Sequence, residues 1–313
     1  MRKNTNKVHL EGLLYEHNLE MKVSGPNSKT PNTQFITGSI SIATDEKCTN
    51  IVPVHFTYVT ATTTKGPNAT FNTLKNIIDG VFGNVMAVGA DNAVKLSVDS
   101  ALALNEFYTD RNGKEELVSA KRNEGGFVHV VNAVSADERE RNYFDVDMLI
   151  TGAIRKEADE EKNLPEKMTL KGAIFNYKNA LMPVEFSVVS PKAMDYFESY
   201  GISANNPLYM ALKGKQVSET ITRKVTEENV FGEDFVKEVT SSRKDFVIYL
   251  GNTIFEWNDE ATMTVEELNK AIAEREVYLA TMKQRQDEYK ASKQAAKQAP
   301  QPAMASNTAG FNF

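Results

Sequence analysis

Apolar residues recur at every second position in several segments of the chain, which is the pattern of strands that bury one face. Three such sets lie within the first 60 residues: Val8, Leu10, Gly12 and Leu14; Ile36, Gly38, Ile40 and Ile42; Val52, Val54, Phe56 and Tyr58. Each set predicts the core face of one strand. Residues of the opposite parity are expected to point away from that core.

A change of period follows these strands. The spacing predicts a short helix near Thr70–Gly80, with Thr70 as its N-cap, and its apolar side is formed by Phe71, Leu74, Ile77 and Ile78. Strand patterns return afterwards, and a hairpin turn is predicted at Asp110–Gly113 because Asn-Gly tolerates positive φ. The remaining strands are predicted at 93–108, 115–122 and 127–134. Three strands, a helix and further strands form the order of an OB fold.

The same order recurs in the second half of the chain, which indicates a duplication. Three segments match in order, each with a glycine or proline in register: Leu10–Leu14 with Ile150–Ile154, Gly38–Ile40 with Gly172–Ile174, and Val52–Val59 with Met182–Val189. A second helix is predicted at 191–201, and closing strands are predicted at 208–217 and 234–250. The predicted fold class is therefore all-β dominated, with two tandem OB-fold barrels plus a C-terminal α-helix and a disordered tail.

The C-terminal part has a different pattern. Thr264–Glu267 is a capping box, and one face of the helix that follows is formed by Leu268, Ile272, Leu279, Met282 and Tyr289. This helix is predicted to end near Gln298, and it either docks on the second barrel or pairs with another chain as a homo-oligomer. Predicted boundaries are 1–135 and 142–252 for the barrels, 253–298 for the helical segment, and 299–313 for the tail.

Composition narrows the functional classes. The 313 residues carry a net charge of −6, which argues against indiscriminate duplex binding. The polar N-terminus and the lack of a long apolar run predict a cytoplasmic protein without a membrane partner. No phosphate-binding loop, His-Glu-x-x-His run or paired Cys-x-x-Cys occurs, and Cys48 is alone. Catalysis, a cofactor and a metal are therefore not expected.

The segment Asn6-Lys7-Val8-His9-Leu10-Glu11-Gly12 resembles the opening of bacterial single-stranded-DNA-binding proteins. The resemblance continues loosely through 35–44 and 51–60 and covers about the first 130 residues. Some members of that family carry two OB folds, and phage-encoded relatives are diverse, so a phage or mobile-element origin and a location in the host cytoplasm are implied. The resemblance implies binding and protection of single-stranded DNA during replication, recombination or repair.

The tail departs from that family. The family's tail ends in acidic residues and a short hydrophobic tip that docks on replication and repair proteins. Here Phe311 and Phe313 form a hydrophobic tip, but lysines precede it and no acidic residue follows Glu288. The resemblance implies partner docking through these two rings, and the missing acids put the usual partners in doubt.

An OB fold binds single strands through aromatic stacking and basic contacts to phosphates. Parity assigns Phe56 and Phe186 to the cores and leaves other rings and cations outside. The predicted nucleic-acid-binding residues are Tyr15, Phe35, His55, Phe107, Tyr108, Arg111, Lys114, Lys121, Arg122, Arg155, Lys167, Lys171, Phe175, Tyr177, Arg223, Lys224, Arg243 and Lys244.

Two other functional classes remain open on the sequence. A structural or assembly protein, for example of a virion, would use the barrels without binding nucleic acid. A recombination mediator or strand-annealing factor would also bind single strands. A gel-shift that compares single-stranded with duplex DNA distinguishes a single-strand-binding protein from the structural class. A strand-annealing assay distinguishes it from a mediator or annealing factor.

Overall fold

The fold is taken from a computed structural model of the chain. It describes residues 4–26, 28, 30–62, 66–158, 165–227, 235–255 and 264–298; within these, side chains at 61–67, 219–242, 252–253 and 294–298 are not described. Eleven of the thirteen strands in this part form one continuous hydrogen-bonded sheet, and two short strands pair with each other. The large sheet curls into two closed barrels.

Barrel 1 comes first in the chain. Its elements are β1 (Asn6–His17), β2 (Glu20–Val23), β3 (Gln34–Ala43), β4 (Ile51–Val59), β5 (Ala61–Thr62), β6 (Gly66–Pro67), α1 (Ala69–Ile78), α2 (Val85–Val88), β7 (Lys95–Arg111) and β8 (Lys114–Val130). The ladder runs β1–β3–β4–β8–β7 and returns to β1, with β4–β8 as its parallel pair. β2 extends the sheet beside β3.

Barrel 2 repeats this plan. After the single turn α3 (Glu138–Arg141), its elements are β9 (Asn142–Lys156), β10 (Lys167–Phe175), β11 (Leu181–Val188), α4 (Pro191–Ser199), β12 (Leu208–Glu227) and β13 (Phe235–Ile254). Its ladder runs β9–β10–β11–β13–β12 and returns to β9, again with one parallel pair, β11–β13. A five-stranded closed roll with a helix between its third and fourth strands is the OB fold, so the chain contains two OB folds in tandem.

The core follows the predicted alternation. In β1, β3 and β4 the predicted inward residues are buried, except Gly38, a half-buried glycine, and Tyr58, which is half-buried against the core. Phe56 and Phe186 are core residues of the two barrels, as predicted. The described hairpin turn has Asn112 at φ 55° and Gly113 at φ 76°, which is the predicted positive-φ geometry.

Two local predictions differ from the structure. The N-cap of α1 is Asn68 and not Thr70, because the Asn68 side chain accepts hydrogen bonds from the N–H groups of Thr70 and Phe71. β8 is one strand and not two. Gly126, at φ 99°, packs against the backbone of Asp99 where the β7–β8 register shifts, so the glycines bend the strand without ending it.

The duplicated strand order is present, but two of the three predicted matches are out of register. Pro53 lies opposite Ser41 in barrel 1, and Pro183 lies opposite Ala173 in barrel 2. Counting back from these pairs, Gly38 corresponds to Leu170 and not to Gly172. Ser41 also lies opposite Glu16, and Ala173 lies opposite Leu149, so the match of Leu10–Leu14 with Ile150–Ile154 is out of register as well. The apolar alternation carried the alignment, and a shift of two residues preserves that alternation.

The two barrels share the sheet. β1 pairs antiparallel with β9 from Asn6–Val146 to Leu10–Asn142. A buried amide network lies beside this junction: the Gln216 and Asn123 side chains exchange two hydrogen bonds of 2.9 Å. The main-chain N–H of Gln216 donates to the Asn142 side chain over 3.1 Å, and its C=O accepts from that side chain over 2.7 Å. The barrels are therefore held in one defined orientation.

The last helix, α5 (Val265–Gln298), packs on both barrels. Its capping box is formed as predicted, since the Thr264 N–H donates to the Glu267 carboxylate and the Glu267 N–H donates to the Thr264 hydroxyl. Leu268 and Ala271 cover barrel 2, and Arg275 and Gln286 reach β7 of barrel 1. The predicted apolar face is partly wrong, because Ile272 is exposed.

Candidate nucleic-acid interface

The outer face of barrel 1 is formed by β3 and β4. Phe35 lies opposite Val59 and His55 lies opposite Ser39, all on the side that points away from the core. Val59 is exposed, and the Phe35 and His55 rings are half-buried. The predicted outward direction of Phe35 and His55 therefore places both rings on one solvent-facing sheet surface. This is the surface that OB folds use for ligands.

Tyr15 lies at an irregularity of β1. Leu14 pairs with Ile42 and Glu16 pairs with Ser41, so Tyr15 is an extra residue on its strand. The bulge bends β1 as it leaves the barrel. Tyr15 is half-buried at this bend.

His55 has charged neighbours on β8. It pairs with Glu124 across the parallel ladder, and Arg122 is close by. Burial, followed by the Arg122 charge, lowers the pKa of His55, so this ring is neutral at pH 7. Arg122 in turn forms an ion pair of 2.8 Å with Glu124. The face therefore presents an uncharged ring beside a compensated charge pair.

The β7–β8 hairpin extends beyond the barrel. Arg111 and Lys114 flank its turn, are exposed, and form no ion pair with described residues. Phe107 is 42% exposed on the same hairpin. Tyr108 is instead held by α5, because the Gln286 side chain bonds to its backbone and the Lys283 ammonium lies 5.6 Å from its ring centre.

The ammonium of Lys121 contacts residues of barrel 2. Its ammonium donates to the Glu185 carbonyl oxygen and lies 5.2 Å from the Phe186 ring centre and 4.7 Å from that of Phe246. Burial lowers the pKa of Lys121. Lys121 therefore joins the hairpin of barrel 1 to barrel 2, and its contact with DNA stays a prediction.

Arg155 was predicted to point outward, and a bulge reverses it. Thr151 is an extra residue in β9, so beyond it Arg155 lies opposite the core residue Met168 while Ile154 is exposed. Arg155 forms ion pairs at 2.7, 2.9 and 3.0 Å with Glu166, Asp195 and Glu198. These carboxylates, Glu166 first, raise the pKa of the guanidinium further. Arg155 is thereby committed to a structural cluster beside α4.

The outer face of β10 carries the other predicted residues of barrel 2. Lys167 and Lys171 do point outward, and each is close to a carboxylate: Lys167 to Asp245 at 3.6 Å and Lys171 to Glu185 at 3.2 Å. Tyr177, in the turn after β10, is 77% exposed. Its ring is free to stack, with the Lys178 ammonium 5.4 Å from its centre.

The clearest correction to the predicted nucleic-acid-binding residues concerns Phe175. It points away from the barrel core as parity required, yet it is fully buried. Leu149, Tyr209, Phe255 and the α5 residue Ala271 enclose it in a second apolar cluster. A ring with no exposed surface offers no face to a base, so Phe175 is excluded from the interface.

Six predicted residues remain. Arg243 and Lys244 are exposed on β13, and they form no ion pair with described residues. Arg223 and Lys224 pair through their backbones with Val239 and Glu238 in the β12–β13 hairpin, and their side chains are not described. Phe311 and Phe313 lie outside the described residues.

The sequence analysis missed an exposed ring on barrel 1. Phe127 on β8 is 64% exposed, and its ring centre lies 6.5 Å from that of His129 at an interplanar angle of 22°. Its parity, opposite to the buried Val128, was available in the sequence. The predicted break of the strand at 123–126 concealed it.

The fold and this surface define a tandem OB-fold protein with an aromatic outer face on its first barrel. The family model named YorF matches residues 4–288, and the chain belongs to that family. No curated protein matches the sequence. Within the described residues, no cluster of three or more His, Cys, Asp or Glu side chains is placed to hold a metal ion. No described helix has the length and apolar content needed to cross a membrane.

Among the solved structures that are similar to this chain, two share 10% sequence identity with it. One is a deletion mutant of the single-stranded DNA binding protein from Thermus aquaticus, covering 82% of this chain and 97% of that chain with a TM-score of 0.45. The other is a Replication Protein A heterotrimer bound to ssDNA, covering 80% of this chain and 66% of that chain with a TM-score of 0.17. The OB assignment rests on the strand order of the chain itself.

Proposed function

We propose that the protein binds single-stranded DNA without sequence preference and protects it during replication, recombination or repair. The observation that supports this most is the outer face of barrel 1, where Phe35 and His55 lie on an open β-sheet beside the β7–β8 hairpin. Flat rings on an OB-fold sheet stack on unpaired bases, and every base offers such a face. The opening motif of β1 adds the resemblance noted above.

The ion pairs shape the expected binding mode. Arg122, Lys167, Lys171 and Arg155 each have a carboxylate partner, so they neutralise few phosphates. Arg111 and Lys114 at the hairpin turn, together with Arg243 and Lys244 on β13, are the described candidates for phosphate contact. We therefore expect stacking to dominate and the salt dependence to be shallow, with a slope of about −0.7 per phosphate neutralised on a single strand.

The test is fluorescence polarisation with a labelled dT oligonucleotide at several salt concentrations. Phe35→Ala is expected to weaken binding by roughly 1–3 kcal/mol, the usual contribution of one stacked base. Tyr196→Ala, which removes an exposed ring on α4 of barrel 2, is the matched control and should leave affinity unchanged. Equal affinity of the protein and both variants would remove this face from the site.

The same binding measurement with a duplex of equal length distinguishes a single-strand-binding protein from a structural or assembly protein. The proposal requires that single strands bind more tightly than duplex at each salt concentration. Absence of binding to either form would favour a structural or assembly protein.

A further inference from the structure

A cleft of about 1230 Å³ lies between β7 of barrel 1, the turn before β11 of barrel 2, and α5. Small and aliphatic side chains, among them Ala103, Leu181 and Ala271, line much of it. One wall is not a side-chain surface but the edge of a strand. β1 pairs with β7 only as far as Ser100, so the rest of β7 keeps β8 on one side and pairs with no described strand on the other.

The hydrogen-bond pattern of this edge can be followed residue by residue. From Ala101 to Arg111 the β7–β8 register is unbroken, so alternate residues direct both backbone groups to the free edge. Leu102 is one of these residues, and the Asn6 side chain satisfies both of its edge-facing backbone groups. The Leu102 N–H donates to Asn6 Oδ1 and the Leu102 C=O accepts from Asn6 Nδ2, both over 3.0 Å. A side-chain amide thus takes the place of a neighbouring strand.

A second amide does the same farther along. The Tyr108 N–H donates to Gln286 Oε1 over 3.0 Å, and the Tyr108 C=O accepts from Gln286 Nε2. Between the two amides lie Leu104 and Glu106, which have the same parity. No hydrogen bond from a described residue reaches their edge-facing N–H and C=O groups, and both residues line the cleft. The open stretch is about 20 Å long, at roughly 3.4 Å per residue.

Charge limits what can occupy this stretch. The residues that line the cleft include the carboxylates of Asp99, Glu106, Glu124 and Glu274, against the cations of Arg275 and Lys178. Asp99, Glu106 and Glu124 are paired with Lys7, Arg275 and Arg122, so Arg275 is already engaged and the lining offers little free cationic charge to a phosphate. An apolar or uncharged peptide does not need such a cation, and in extended form it supplies the missing strand.

We propose that this cleft binds a short extended peptide of a partner protein, which adds to the β7 edge at Leu104 and Glu106. The peptide has small or β-branched apolar side chains and no acidic residues. Its backbone forms up to four hydrogen bonds with these two residues, and its side chains fill the space between Ala103 and α5. This is an interaction surface separate from the outer face of β3 and β4.

The test uses the full chain and a labelled peptide, acetyl-Lys-Val-Thr-Val-Thr-Lys-amide. Amide hydrogen exchange read by NMR should show slower exchange at Leu104 and Glu106 on titration. A peptide with alternate amides N-methylated should bind at least tenfold more weakly, because it cannot complete the ladder. Ala103→Trp, which fills the cleft, should weaken binding at least tenfold, whereas Ala87→Trp on the exposed α2 should not change it.

Binding measurements with the dT oligonucleotide distinguish this proposal from the proposed function. Ala103→Trp should bind dT as tightly as the unmodified chain, and dT should not displace the peptide. Failure of the peptide to saturate, or equal binding of its N-methylated form, overturns the peptide site and leaves DNA binding untouched. Slower exchange at Leu104 and Glu106 on addition of dT would assign the cleft to nucleic acid and likewise overturn the proposal.

Discussion

At the scale of single residues, direction and exposure are separate properties. Phe35 and Phe175 both point away from a barrel core, as alternation predicts. Phe35 remains half-exposed because nothing described covers β3 and β4 there, whereas Phe175 is buried by α5 and Phe255. The parity of a residue indicates on which side of the sheet it lies. Whether that side is exposed to solvent depends on elements that are distant in the sequence.

Phe175→Ala tests this distinction. Removing a fully buried ring leaves a cavity, so the variant should lose about 3–5 kcal/mol of unfolding free energy in urea titration. Its effect on dT affinity, measured where the variant is folded, should be nil. Tyr177→Ala removes a ring that is 77% exposed, and it should change stability by no more than about 0.5 kcal/mol. Equal stability of the two variants would contradict the burial of Phe175.

Two histidines make stability depend on pH. Burial lowers the pKa of His17, whose Nδ1 has no hydrogen-bond partner among the described residues, and burial followed by Arg122 lowers that of His55. Just below pH 6.5 the unfolded chain takes up protons on both histidines, whereas both rings in the folded chain stay neutral until the pH reaches their lowered pKa values. Linkage then predicts that stability falls as the pH falls from 6.5 through the folded pKa values.

Urea titrations at pH 7.5, 6.5 and 5.5 check this expectation. The double variant His17→Gln/His55→Gln should lose less stability over this range than the unmodified chain. An identical loss in both proteins would show that other groups account for the acid sensitivity.

At the scale of elements, α5 holds the long hairpin of barrel 1 against barrel 2. Its Gln286 caps the edge of β7, and its Lys283 and Lys290 pair with Glu115 near the hairpin turn. Arg275 joins the Glu106 carboxylate at 2.6 Å and the Leu181 carbonyl oxygen at 3.3 Å. A long exposed strand edge is an aggregation hazard, and α5 covers part of it.

Arg275→Ala tests the anchor of α5. The Glu106 side chain is only 3% exposed, so loss of its partner leaves a buried carboxylate, and we expect a cost of roughly 3–5 kcal/mol. The double variant Glu106→Leu/Arg275→Met removes both charges and should be close to the unmodified chain in urea titration. A double variant as unstable as Arg275→Ala would show that the charge pair is not the cause.

At the scale of the whole molecule, the two barrels form one unit. β1 and β9 join them through backbone hydrogen bonds, and Lys121 and Gln216 join them through side chains. Between the predicted barrel boundaries, residues 136–141 contain the single helical turn α3, which ends in the buried Arg141. The outer face of barrel 1 therefore has a fixed position relative to barrel 2.

Gln216→Leu tests this junction. The Asn123 amide would lose both hydrogen bonds to the Gln216 side chain inside the protein, which should cost about 1–3 kcal/mol. Asn123→Leu/Gln216→Leu replaces both polar side chains and should recover most of that loss in urea titration. An additive loss in the double variant would mean that the two amides stabilise the fold independently.

Features that depend on neighbours along the chain could be predicted from the sequence. The period-two alternation predicted the strands and their inward faces, Asn112-Gly113 predicted the hairpin turn, and Thr264-Glu267 predicted the start of α5. These features need only local backbone preference and burial of one strand face, and their repetition was enough to predict two OB folds.

Which outward residues stay available depends on contacts between distant parts of the chain. The bulge at Thr151 turned Arg155 toward the carboxylates beside α4, and α5 buried Phe175. Lys121 became a junction residue because the β7–β8 hairpin lies on barrel 2. The physical reason is the same for these three residues. A bulge or a covering element couples residues that are far apart in the chain, and alternation within one strand does not reveal that coupling.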